Sequence, residues 1–268
     1  MSVTSSLKRK EDHIELCHTG DVGLDGDLGL FSEVRLIHQA MPELAMEDID
    51  LGTDFLDHRL AVPLMITGMT GGPERAGEIN RDLAALCETN GMAFGLGSQR
   101  VIHADPSTIA SFSVRAKAPN VCLLGNIGIN QARDLGASVV LDLFERIEAD
   151  YMAIHLNPAM ELIQPGAEAD SNFRDGFDTI ARLVDTLDGK LIVKECGCGL
   201  SGSLVQRLQR LGVRGVDVSG VGGTSWVRVE ALRAAGMQAE IGFEYEDWGI
   251  PTAATTWAAG QVENTMVI

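Results

Sequence analysis

From about residue 62 the chain alternates short apolar runs with longer amphipathic segments. Six of the apolar runs read as strands: AVPLMITGM (61–69), GMAFGLGS (91–98), NVCLLGNIG (120–128), DYMAIHLN (150–157), KLIVKECG (190–197) and RGVDVSG (214–220). The segments between them have helix length, among them PERAGEINRDLAALCETN, STIASFSVRAKA, SVVLDLFERIEA, DGFDTIARLVDTLDG, SGSLVQRLQRLG and VRVEALRAAG. Several stop at Gly or Asn, the residues that most readily end a helix. This rhythm predicts repeated βα units around a parallel sheet. Residues 1–60 fall outside it, being polar, acidic and irregular. They are expected to form an N-terminal arm of loops, with a short hairpin around LDGDLGL (24–30).

Each candidate strand ends in polar or glycine chemistry: Thr70-Gly71-Gly72, Gly97-Ser98-Gln99-Arg100, Gly125-Asn126, His155 with Asn157, Lys194-Glu195 and Ser219-Gly220. A doubly wound sheet gathers its ligands at one switch point, whereas a barrel brings all its βα loops to one face. Six polar strand ends therefore predict an α/β fold of the (β/α)8 TIM barrel type over residues 61–268. The closing TMVI (265–268) reads as the opening of a seventh strand, so about six and a half βα units are expected. A barrel stopped there would keep an open sheet edge, and the chain reads as a shortened form of a longer one.

Composition narrows the function. The 268 residues are 45% hydrophobic and 22% charged, which suits one large globular domain. A net charge of -17 argues against nucleic acid or an anionic membrane as partner, so any anionic ligand needs a local basic pocket. The five cysteines are odd in number and several lie in apolar patterns, which reads as a reducing cytoplasm rather than a disulfide framework. Cys196 and Cys198 lack the second pair of a structural zinc site. No apolar run approaches the roughly 18 to 20 residues of a membrane span, and the N-terminus has no apolar signal core.

Four motifs carry candidate chemistry, each beside a plainer reading. GLGSQR (95–100) lets backbone amides approach a ligand and follows them with a cation, or is a tight connection with a surface Arg. SGVGGTS (219–225) can cradle an anion on glycine amides and hydroxyls, or is a structural turn; it has neither dinucleotide nor Walker spacing. Lys194, at the end of LIVKE, is either an inward ammonium needing Glu195 or an anionic ligand as partner, or an outward surface Lys. Arg9, Lys10 and His13 form a basic cluster that on composition alone reads as a solvated tail.

Taken in order, RKEDHI (9–14), MTGG (69–72), GLGSQR (95–100), GNIG (125–128), HLNPAMELIQP (155–165), VKECGCGLS (193–201), DVSGVGGTSW (217–226) and DWGIPT (247–252) resemble type 2 isopentenyl diphosphate isomerase. The resemblance implies a (β/α)8 barrel that uses reduced FMN and Mg2+ to interconvert isopentenyl and dimethylallyl diphosphate. NADPH is the implied reductant, and the implied assembly is a cytoplasmic tetramer or larger homo-oligomer. By position, Thr67, Gly68, Met69, Ser98, Asn126, Lys194, Ser219 and Thr224 would contact the flavin. Arg9, Lys10, Arg100, His155, Asn157 and Gln164 would hold the prenyl diphosphate, and Glu161 the metal. His155 and Asn157 share a face because strand side chains alternate with period two. Residues 1–60 would supply part of the substrate site.

The sequence departs from that family at Met160, where Gln is usual before the metal-binding Glu. A thioether cannot relay a proton, so Lys194, Glu230 and His155 are the remaining candidate catalytic groups. Two other readings stand beside the isomerase. One is an FMN-dependent oxidoreductase on the same barrel, which would want a His-Arg arrangement late in the chain. The other is an impaired homologue that binds without turnover.

Overall fold

The structure is a computed structural model, and it describes residues 3–20, 22–165 and 169–268. The chain opens with α1 (Val3–Thr19) and, after a long exposed stretch, forms an antiparallel hairpin of β1 (Thr53–Phe55) and β2 (His58–Leu60). The repeating part follows: β3 (Met65–Ile66), α2 (Glu74–Asn90), β4 (Ala93–Gly95), α3 (Arg100–Ala104), β5 (Leu123–Gly128), α4 (Ile129–Leu135), α5 (Ala137–Arg146), β6 (Tyr151–His155), α6 (Pro158–Ile163), α7 (Gly176–Thr186), β7 (Leu191–Lys194), α8 (Gly202–Arg210), β8 (Gly215–Asp217), α9 (Trp226–Arg233), α10 (Met237–Glu244), α11 (Thr252–Ala259) and β9 (Met266–Val267). Strands β3 to β9 pair in sequence order, all parallel, in one seven-stranded sheet. This is the wall of an incomplete (β/α)8 barrel, with β3 and β9 at its two edges.

Period-two alternation splits each strand between two cores. Phe94, Leu123, Ile127, Met152, Ile154, Leu191, Val193 and Val216 face the helices and pack with Leu143, Leu183 and Val205. The opposite parity, Ala93, Leu124, Tyr151 and Ile192, points into the barrel and packs against Phe55 and Leu60 of the hairpin. The hairpin thus plugs the end of the barrel where the strands begin. It is tied there by Asp57, which accepts from Arg214 at 2.8 Å and from the Tyr151 hydroxyl. Burial of each such large apolar side chain stabilises the fold by about 1.5–3 kcal/mol.

Three expectations are corrected. The arm contains a 17-residue helix, α1, which the hydrophobic pattern hid because Arg9, Lys10 and His13 lie on its buried face. Residues 24–30 form turns rather than a hairpin, and the hairpin lies instead at residues 53–60. The segment 107–118 forms no α-helix: Pro106 opens a 3-10 turn over Pro106–Ser111, with Asp105 accepting from the Ser107 amide at 3.0 Å. The six strands and the start of the seventh stand where the apolar runs place them.

Candidate active site

The inward parity that carries Tyr151 and Ile192 at the bottom of the barrel carries polar groups at its top. In the sheet register His155 stands opposite Lys194 and Lys194 opposite Asp217. His155 and Lys194 open into a cavity of about 150 Å³ at the carboxyl ends of the strands. Strand-end residues Thr67, Gly68, Met69, Ser98, Asn126, Lys194 and Ser219 line it, as do Arg100, His155, Asn157, Glu161 and Gln164. Helix α1 closes the side with Arg9, Lys10 and His13. Because α1 buries these cations rather than apolar groups, the tail reading of residues 9–13 is replaced by a built wall.

Geometry fixes several of these side chains. Arg9 Nη1 donates to Gln164 Oε1 at 2.9 Å, joining α1 to the end of α6. Asn157, held at the helix start by Pro158, donates to Glu161 Oε1 at 3.0 Å. The Asp170 amide donates to Glu161 Oε2 at 3.1 Å. His155 Nδ1 lies 2.8 Å from Asn126 Oδ1, and the Asn126 amide is itself held by Gln99 Oε1 at 3.3 Å. Gly68 stands where a Cβ would meet the Leu96 carbonyl oxygen at 2.0 Å, so the β3 and β4 ends touch through backbone.

Lys194 points inward, and its anionic partner is Asp217, 3.6 Å from Nζ, rather than Glu195. Nζ also approaches Ser219 Oγ at 3.5 Å and the Glu195 carbonyl. The Glu195 carboxylate turns away and accepts from the Cys196 and Gly197 amides at 2.7 and 2.8 Å. Ser219 Oγ donates to Asp217 Oδ1 at 2.6 Å, which completes a Lys-Asp-Ser array along the wall.

Charge is the dominant feature of the cavity. Arg9, Lys10, Arg100 and Lys194 face it, and among the described lining residues Glu161 is the single carboxylate. Burial, with Arg9 and Arg100 beside it, lowers Lys10 to about 7. Burial and the Lys194, Lys10 and Arg100 cations hold His155 well below its ordinary value, so its imidazole is neutral. Burial opposes the charge on Lys194, yet Cys196, Asp217 and Glu195 outweigh it and raise its affinity for the proton. Burial likewise raises Glu161 against the Asn157 and Asp170 hydrogen bonds. The excess of positive charge in the cavity would match a multiply charged anion.

Two expected site residues lie elsewhere. Thr224 is exposed and lines a neighbouring crevice with Trp226 and Cys196. Glu230 is fully buried behind His13, accepting from His13 Nε2 at 2.8 Å and from Arg233 Nη1 at 2.6 Å. It therefore meets the cavity only through the His13 ring, which packs edge-on against Trp226 at 5.1 Å. Gln131, Cys196, Trp226 and Met160 also line the cavity. Met160 is the position at which the sequence departs from the pattern it resembles, Trp226 and Cys196 lie within quoted motifs, and Gln131 alone carries no sequence signal.

No protein-family model matches the chain. Curated relatives do. The isopentenyl-diphosphate delta-isomerase of Nostoc sp. is 41% identical over 247 residues, which is 91% of this chain and 70% of the relative. Those of Chlorobium limicola and Xanthobacter autotrophicus are each 42% identical, covering 92% and 94% of this chain and 71% and 74% of the relatives. Among solved structures, a soluble mutant of the membrane-associated (S)-mandelate dehydrogenase from Pseudomonas putida aligns with a TM-score of 0.54 at 17% identity, covering 86% of this chain and 75% of that one. That likeness concerns the barrel alone. Identity above two-fifths over nine-tenths of the chain speaks to descent as well as shape: the chain belongs to the isopentenyl-diphosphate delta-isomerase family.

Proposed function

We propose that this cavity interconverts isopentenyl and dimethylallyl diphosphate with reduced FMN and Mg2+. The observation that carries the reading is the convergence of Arg9, Lys10, Arg100 and Lys194 on one pocket of a chain whose net charge is -17. A diphosphate is the anion whose charge such a cluster matches, and Glu161 offers the one carboxylate to a bridging metal. Glu161 would hold the Mg2+, for which one protein carboxylate is enough when a diphosphate is bound beside it. Asn157 and the Asp170 amide leave lone pairs on the Glu161 oxygens for this purpose.

In the proposal Arg9, Lys10, Arg100, His155, Asn157 and Gln164 hold the substrate. Thr67, Gly68, Met69, Ser98, Asn126, Lys194 and Ser219 hold the flavin, with Thr224 at the edge of the adjoining crevice. The donor set fits: hydroxyls, an amide and an ammonium share one wall, where Gly68 lets the backbone come close. Reduced FMN, prepared by NADPH, supplies the proton-transfer chemistry that an unactivated alkene demands. The chain orients the diphosphate, excludes water and keeps His155 neutral, so that its free nitrogen can accept a hydrogen bond. Lys194 presents a fixed charge to the ring, and Glu230 acts through His13.

Residues 1–60 form part of the substrate site in this reading through α1, and residues 61–268 form the barrel. A cytoplasmic homo-oligomer of four or more copies belongs to the same proposal. The exposure of Leu36 at 93% and Ile37 at 87% is in keeping with it. No helix among the described residues is long and apolar enough to cross a membrane.

The test is incubation with isopentenyl diphosphate, FMN, Mg2+ and NADPH, with dimethylallyl diphosphate as the readout. Product formation that falls in E161Q supports the proposal; absence of both turnover and retained yellow cofactor overturns it. A second reading, binding without turnover, is favoured by Met160, whose Sδ lies 3.6 Å from Asn157 Nδ2 on the cavity wall. The oxidoreductase reading would want a His-Arg arrangement late in the chain, and within residues 1–268 the last histidine is His155.

A further inference from the structure

The end of the barrel opposite the cavity brings together three side chains that the isomerase reading does not use. His58 sits on β2 of the plugging hairpin, Cys122 immediately before β5 and Asp150 immediately before β6. One ligand atom from each, an imidazole nitrogen, Sγ and a carboxylate oxygen, lies within 4.8 Å of the other two. We propose that His58, Cys122 and Asp150 form a second metal site, selective for a borderline-soft divalent cation such as Zn2+ and separate from the Mg2+ site at Glu161.

The donor set carries the selectivity. A thiolate with an imidazole and one carboxylate suits Zn2+, whereas Mg2+ prefers oxygen donors alone. Zn2+ bonds of roughly 2.0 to 2.3 Å require the three atoms to close in by about 1 Å, within reach of side-chain rotation. Thiolate and carboxylate together match the charge of the cation, with the Arg115 guanidinium 2.9 Å from Asp150 left as a positive charge beside the site. Binding of the metal would displace the proton of the Cys122 thiol, because the thiolate is the ligand form.

Asp150 is already oriented for this role. Its Oδ2 accepts from Arg115 Nη2 at 2.9 Å and from the Leu123 amide at 2.8 Å. That arrangement is the outer shell that metal-binding carboxylates use. Oδ1 is turned toward His58 Nε2 at 3.8 Å, too far for a hydrogen bond and in position for an ion between them. The His58 and Asp150 side chains are each 29% exposed, which leaves a path for the metal and a water as fourth ligand. Binding would fasten the hairpin to the β5 and β6 starts and stiffen the closed end of the barrel.

The experiment is titration of the reduced, metal-free full chain with Co2+, a spectroscopic stand-in for Zn2+. One equivalent is expected to bind with a thiolate-to-cobalt charge-transfer band, to be displaced by Zn2+, and to raise the melting temperature. The band should vanish in C122A and in H58Q and persist in C196A. H58Q alters a partly exposed hairpin position, so it tests the site even where C122A disturbs the core. Absence of any Co2+ or Zn2+ binding, persistence of the band in C122A, or undiminished affinity in H58Q would each overturn the proposal.

Discussion

Replacing Lys10 with Met is expected to make the unliganded protein more stable and its anion site weaker. Lys10 is held on the buried face of α1, 8% exposed, beside Arg9 and Arg100. The fall from the ordinary 10.5 to about 7 corresponds to about 5 kcal/mol of unfavourable interaction, at 1.36 kcal/mol per pH unit. Below pH 7 the ammonium is charged in both folded and unfolded chains, so the whole penalty is felt. Between about 7 and 10.5 the folded protein releases a proton that the unfolded chain still binds, and stability gains on the variant as pH rises. Above 10.5 both states are neutral and the penalty is gone. Methionine keeps the apolar stem and removes the charge. Urea unfolding of both proteins at about pH 6, 8 and 10 measures the difference. K10M should be more stable by several kcal/mol at the lowest pH, with the gap closing toward the highest. Added inorganic diphosphate should reverse the order, because it binds the folded wild type more tightly. Equal stability at the lowest pH, or a gap that ignores pH, would refute the reasoning.

Two further outcomes follow from the cavity wall. In M160Q an amide replaces the thioether beside Asn157; turnover of isopentenyl diphosphate is expected to rise about 100-fold, the scale of a positioned proton-transfer group, and an unchanged rate would clear Met160 of blame. Gly68→Ala drives a Cβ to 2.0 Å from the Leu96 carbonyl oxygen. It should destabilise the fold by at least about 1–3 kcal/mol, as overpacking does, which a lowered melting temperature would register and an unaltered one would contradict.

The strand ends show why so much of the site was legible. Apolar runs with period two place Asn126, His155 and Lys194 at the carboxyl ends of their strands and on the inward parity. The parallel order then brings those ends to one mouth. What escaped the pattern was α1. Its buried face is charged, so it carries no apolar stripe, and its burial depends on the cavity it closes. Glu230 was named as a candidate, but its seat behind His13 escaped for a related reason: the two are 217 residues apart in sequence.

The sequence by itself determined the repeating βα order, the seven strand positions and the cluster of basic and polar residues on their tips, because local alternation and helix stops are written residue by residue. Only the tertiary structure decided that Asp217 rather than Glu195 answers Lys194, that Glu230 sits behind His13, that α1 walls the cavity, and that His58, Cys122 and Asp150 meet at the closed end. Those are choices among partners far apart along the chain, and they are made by the register of the sheet and by burial, neither of which any single segment encodes.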